Sequence, residues 1–310
     1  MIFVLPFFIM AVTFMSLWNG VPAEGLKIND CEYLSVFQCF NPFMSAFVGA
    51  FLVLGILFFL FFLNERFKLL QQTTTLPMVL YGVLVGGVLK NQGGGDVLLA
   101  VFFLTFALER FQLVISNINS NRELFDFSFL VALAVLIYPK FIFLIPWSLC
   151  SVIFSGRSTL KDVVAWCFGW LTPFLFLYFY YFWIDQAKVL PELFWQNVCI
   201  GEPLYHLSSL EWIRVGVLLL LLFLSVTHFL YRYSTFMLVH RRFFFALIAL
   251  LFFLAITFGI VPFTDKSFTY ILALPLSWMY AQFLLMQRSK IAGDIWFILL
   301  LIACSISFIL

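Results

Sequence analysis

Three carboxylates, Glu24, Asp30 and Glu32, share one polar stretch, "NGVPAEGLKINDCEYLSVFQCFN", between two long apolar runs. Carboxylates gathered at a membrane surface can act as a general base or hold a divalent cation against a phosphate; ordinary solvated loop charge is the other reading. A second long polar stretch, 184–212, places Glu202 four residues before His206, a spacing open to an acid–base pair. Its Leu193, Phe194, Trp195, Tyr205 and Trp212 fit an aromatic-rich segment lying along the interface. His228 stands inside the apolar run "LSVTHFLYRY". An ionisable group at depth is a functional candidate, although Tyr231 and Arg232 follow within a turn, so His228 can also snorkel to the boundary. Lys140 sits directly after Pro139 in the middle of another apolar run. Asp30, Glu24 and Glu32 are thus the candidate catalytic residues, and Lys140, Glu202, His206 and His228 the candidate substrate-binding ones.

The elements that position these groups are set by composition. Apolar residues are 64% of the chain and charged residues 10%, against about 25% charged in a soluble domain. So little charge cannot cover a water-soluble surface, and the alternative solvent is lipid. Apolar runs occupy 2–18, 43–63, 76–90, 97–115, 127–154, 163–183, 213–231, 243–262, 268–286 and 295–310. They are continuous and lack the period-two alternation of a membrane β-barrel. The expectation is an all-α, polytopic transmembrane helical bundle forming a single domain over 1–310. The first run lacks the basic start and small-residue cleavage site of a signal peptide, and reads as a retained helix.

The run 127–154 decides the topology. If it crosses once, with a proline kink, the loops holding Arg232, Arg241, Arg242, Arg288 and Lys290 face outward, against the preference of Lys and Arg for the cytoplasmic side. If it turns back at Pro139-Lys140, the N-terminus is cytoplasmic and the C-terminus outer. Arg66, Lys68, Arg110, Arg122, Arg157, Lys161, Arg232, Arg241, Arg242, Arg288 and Lys290 then lie inside, and Lys27, Lys90, Lys140, Lys188, Arg214 and Lys266 outside. The second arrangement satisfies the rule at every inner loop. It gives about 11 hydrophobic segments, counting 127–154 as a hairpin of two short helices, and puts loops 19–42 and 184–212 outside. Asp126 is expected to cap the first hairpin helix, and Glu109-Arg110 to end the helix before it.

Several functions are excluded. A net charge of +2 does not suit nucleic acid. Six cysteines without a CxxC pair and three histidines do not make a structural zinc site, and no metal or cofactor is specified. Walker A, HExxH and GxSxG patterns are absent. Cys31 and Cys39 can pair in an oxidising compartment, with Cys199 as a rival partner and free thiols as the alternative; Cys150, Cys167 and Cys304 read as small core residues.

The stretches "LNERFKLLQQTTTLPMVLYGVL", "NRELFDFSFLVALAVLIYPKFIFLIPWSL", "LKDVVAWCFGWLTPFLF" and "LALPLSWMYAQFLL" resemble an uncharacterised multi-pass family of Bacteroidota, domain of unknown function 6427. The resemblance covers most of the chain and implies a bacterial cytoplasmic (inner) membrane, with no established activity. Architecturally, a first outer loop with acids followed by short broken helices is similar to polyprenyl-phosphate-dependent membrane glycosyltransferases. That likeness implies an acid in the first outer loop, for which Asp30 is the candidate, with Glu24 and Glu32 behind it. The chain departs from the pattern in lacking a soluble outer domain and a paired-acid motif. Three functions follow as expectations: handling a polyprenyl-phosphate-linked glycan at the outer leaflet, a non-catalytic scaffold of an envelope assembly machine, or small-solute transport. The implied partners are membrane lipids, polyprenyl phosphate and other envelope proteins.

Overall fold

The computed structural model describes residues 42–86, 95–116, 121–156, 159–199, 209–261, 268–287 and 289–309. The described residues form helices and no strand. In chain order these are α1 (Pro42–Phe67), α2 (Leu76–Gly86), α3 (Gly95–Ser116), α4 (Asn121–Ile137), a 3-10 turn (Pro139–Phe141), α5 (Leu144–Phe154), α6 (Leu160–Trp183), α7 (Val189–Cys199), α8 (Ser209–Tyr231), a second 3-10 turn (Tyr233–Thr235), α9 (Leu238–Ile260), α10 (Phe268–Leu285) and α11 (Lys290–Ile309). Among the described residues, six stretches are long and apolar enough to cross a membrane: Phe47–Phe67, Gly95–Ser116, Leu160–Trp183, Trp212–Tyr231, Leu238–Ile260 and Phe268–Leu285. Helical geometry suits such runs because it satisfies every backbone N–H and C=O internally where no water is available. The expected run 2–18 lies outside the described residues.

The run 127–154 folds back on itself. Phe127 and Trp147 are in ring contact, centroids 5.9 Å apart. Twenty residues of continuous helix would separate them by about 30 Å. Three neighbours confirm the register. Gly169 on α6 lies against Ser128 and the Phe125 carbonyl of α4. Trp166 and Trp170, also on α6, donate their indole N–H groups to Ser148 Oγ of α5 at 3.1 and 3.0 Å. Ser128, Ser148 and Trp166–Trp170 therefore sit at one level, and Tyr138-Pro139-Lys140 is the point of reversal between them. The two arms are of unequal length. The first begins at Asn121 and has 17 residues; the second, after the 3-10 turn, has 11.

Asp126 is not a cap. It lies inside α4, whose start at Asn121 is five residues earlier, and faces Arg110 at 3.8 Å. Glu109-Arg110 does not end α3, which continues to Ser116. The two side chains take different neighbours across the bundle, Arg110 reaching Asp126 and Glu109 pairing with Arg66 of α1. Polar residues near an apolar run suggest its boundary, but cross-helix partners let the helix continue through them.

The helices alternate in direction, and the described turns gather at two ends. One end carries Arg66, Lys68, Arg110, Arg122, Lys161, Arg232, Arg241 and Arg242 and is called the basic end below. Contacts tie it together: Arg66 to Glu109, Phe67 to His240, and Gly156 to Arg242. The opposite end holds Lys140, the close of α6, and α7. α10 runs through the centre and is the most enclosed of the six long stretches. Its groups are spent on neighbours: Tyr280 donates to the Leu218 carbonyl at 2.7 Å, and Ser225 of α8 donates to the Met279 carbonyl at 2.6 Å. Such interhelical bonds contribute about 0.6 kcal/mol each within a membrane. α6 presents Phe168, Leu171, Phe176 and Phe179 outward, as a lipid-facing helix does. Cys167 is exposed on α6 and so is not the core residue expected, whereas Cys304 is buried.

Candidate functional site

The basic end contains a loop built with unusual care. Asn64, fully buried in the last turns of α1, donates through Nδ2 to the carbonyls of Gln72 and Thr74 at 3.1 and 3.0 Å. Its Oδ1 accepts from Leu70 N–H at 3.3 Å. One side chain thereby fixes both sides of the turn 68–74. Within that turn Lys68 and Gln71 take the left-handed conformation, φ 47° and 60°, which is costly for residues with a Cβ and is held only where surroundings over-determine it. Replacing Asn64 with Leu keeps the branched four-atom side chain and strips three hydrogen bonds, leaving the buried Leu70 N–H unpaired. The expected cost is about 2–4 kcal/mol, and trypsin should cut at the exposed Arg66 and Lys68 faster than in the parent. Unchanged cleavage would show that the turn does not depend on Asn64.

Beside this loop lies a cleft of about 290 Å³ lined by Leu70, Gln71, Gln72, Arg232, Gln282, Leu285, Met286 and Gln287. It opens where three polypeptide segments meet: the turn after α1, the end of α8 and the end of α10. Among the described residues, four carboxamides and one guanidinium line it, and no acid does. Among the other cations at this end, Arg66, Arg110 and Arg241 have partners. Arg66 pairs with Glu109 and lies 5.8 and 5.2 Å from the Phe62 and Phe67 ring centres. Arg241 donates to the carbonyls of Phe236 and Ser234 at 2.7 and 2.9 Å and lies over Tyr233.

At the opposite end, the hairpin tip is packed by α7. Phe194 of α7 meets Phe174 of α6, centroids 6.3 Å apart, while Trp195 is exposed. Of the aromatic segment expected in 184–212, Leu193, Phe194 and Trp195 lie on α7, Trp212 lies on α8, and Tyr205 is outside the described residues. Counting along α6 from the level shared with Ser128 and Ser148 puts the tip abreast of Tyr178–Phe179. That is about 7 Å short of Trp183 at 1.5 Å per residue. Lys140, half-buried, therefore starts about that far inside the end of α6.

The sequence-derived candidates divide as follows. Glu24, Asp30, Glu32, Glu202 and His206 lie outside the described residues. Lys140 sits at the hairpin tip. His228 is near the end of α8, half-buried and edge-on to Phe283, centroids 5.8 Å apart. It belongs to the basic end, so the structure does not bring Lys140 and His228 into one site. Among the described residues, no three His, Cys, Asp or Glu side chains converge as a metal site would need. The cleft residues were not singled out from sequence. The signal available was the amide-rich punctuation of apolar runs, "LLQQTTT" and "LLMQRSK".

Family models, curated proteins and solved structures offer no match to this chain. The long apolar helices make it a membrane protein.

Proposed function

We propose that the chain is a multi-pass protein of a bacterial inner membrane, with about 11 membrane segments and a cytoplasmic N-terminus, that handles a polyprenyl-phosphate-linked glycan at the outer leaflet. The observation that carries the reading is the hairpin tip. A helix pair that stops short of the boundary, ends in Pro139-Lys140 and is covered by an aromatic helix sets a cation at phosphate depth. Short, broken segments enclosed by longer helices are where membrane proteins commonly build substrate sites. The distribution of Lys and Arg between the two ends favours the basic end inside, which makes the tip end the outer one. Lys140 then meets the lipid phosphate. Asp30 serves as acid/base or metal-holding group, with Glu24 and Glu32 beside it, and Glu202 and His206 belong to the same outer side. The family resemblance noted above agrees with an inner-membrane location.

Mass spectrometry of lipids co-purified with the full chain tests this. Polyprenyl phosphate or a sugar-loaded polyprenol should be enriched over a control membrane protein from the same cells and diminished in Lys140→Ala. Bulk phospholipid alone would sink the reading and favour a scaffold role.

A further inference from the structure

The cleft at the basic end belongs to none of the outer-side chemistry above. We infer that it is a binding site for a hydroxylated phosphate ester, received as the headgroup of an anionic lipid of the leaflet at the basic end. The lining chemistry selects that class. Arg232 supplies a planar donor fork suited to two phosphate oxygens. Gln71, Gln72, Gln282 and Gln287 each offer both donor and acceptor groups, which is what hydroxyls require. Among the described residues, no carboxylate lines the cleft to repel an anion. At about 290 Å³ it holds a headgroup but not a whole lipid. Leu70, Leu285 and Met286 beside the amides provide an apolar wall for the start of an acyl chain.

Three independent features show that the lining is held ready. The first is Arg232 itself. Arg232 belongs to neither the Arg66–Glu109 nor the Arg110–Asp126 ion pair. The second is Gln282, almost fully buried, whose amide donates only to the Met286 sulfur, at 2.8 Å. A thioether is a weak acceptor, so an oxygen ligand replaces it favourably. The third is Gln71, held at φ 60° by the turn that Asn64 fixes, in a conformation that an unconstrained glutamine avoids. Backbone strain kept at a cleft lining is the usual companion of a binding role.

The probe is dihexanoyl-phosphatidylglycerol, titrated by native mass spectrometry into the full chain in a non-ionic detergent, with dihexanoyl-phosphatidylcholine and glycerol phosphate as comparisons. The wild type should bind the phosphatidylglycerol about tenfold more tightly than the phosphatidylcholine, as a charge-assisted phosphate contact with added hydroxyl bonds predicts. Arg232→Gln should abolish that preference. Gln71→Gly removes one amide while relieving the φ 60° strain; it should weaken phosphatidylglycerol binding while leaving the thermal midpoint equal or higher. Failure of glycerol phosphate to compete supports the lipid as source. Competition by glycerol phosphate at comparable concentration overturns the lipid source in favour of a soluble polyol phosphate. Equal binding of the two lipids, or a preference that survives both substitutions, overturns the site.

Discussion

Gly169→Leu is expected to be the most damaging single substitution in the described part of the chain. A Cβ at this position would come within 2.6 Å of the Phe125 carbonyl and closer still to Ser128 Oγ. The obstructing carbonyl is backbone in the middle of α4 and cannot swing aside. The two helices must separate, and α4 carries the hairpin with it. Overpacking that side chains can absorb costs about 1–3 kcal/mol; here the cost should reach at least the top of that range. Small residues at helix crossings matter in membranes because association there rests on close packing and not on the expulsion of water. Gly216 is the matched control, since nothing lies within 4 Å of its added Cβ. In detergent, Gly169→Leu should lower the thermal midpoint by many degrees while Gly216→Leu leaves it near the parent value. Equal midpoints would mean that α4 and α6 do not touch as described.

Trp147→Ala is the second large effect. Trp147 is fully buried, meets Phe127 edge-on and donates Nε1–H to the Ala246 carbonyl of α9 at 2.9 Å. It joins the return arm of the hairpin both to its first arm and to a long membrane helix. Removing a buried Trp costs about 3–5 kcal/mol, mostly from the cavity left behind. The interhelical hydrogen bond accounts for about 0.6 kcal/mol of this, so Trp147→Phe should recover most of the loss. A Phe variant as unstable as the Ala variant would shift the weight from packing to the Ala246 bond. The double variant with Phe127→Ala should lose less than the sum of the single losses, because the two rings contact each other. Additivity would contradict the hairpin.

Much of this architecture is legible in the residues. Continuous apolar runs fix the helices because lipid leaves the backbone no other partner, and the placement of lysine and arginine separates the turns into two groups. Pro139-Lys140 within an apolar stretch marks the reversal. What the sequence hides is where polar groups find partners. Asp126 and Glu109 look like helix boundaries because a charge in an apolar neighbourhood suggests an end. Each is instead inside a helix and faces an arginine from another one. Ser148 is one of many serines in the sequence, and nothing local says that two indoles from α6 converge on its hydroxyl. Asn64 likewise reads as a helix-end residue, although its side chain organises a turn up to ten residues away. The cleft is less legible still. Gln71, Arg232 and Gln282 are far apart in the chain, and glutamine carries no spacing signature of the kind that carboxylates and histidines do.

The outer-leaflet function requires the chain to reverse at Pro139-Lys140 with that tip at the outer face. Lys140→Cys, in a background with the six native cysteines replaced, tests it directly through labelling of intact cells with a membrane-impermeant thiol reagent. The tip should react from outside before the cells are opened. A cysteine at 140 that is protected in intact cells, and labelled only once the cytoplasmic face is exposed, would contradict the orientation and the outer-leaflet function with it.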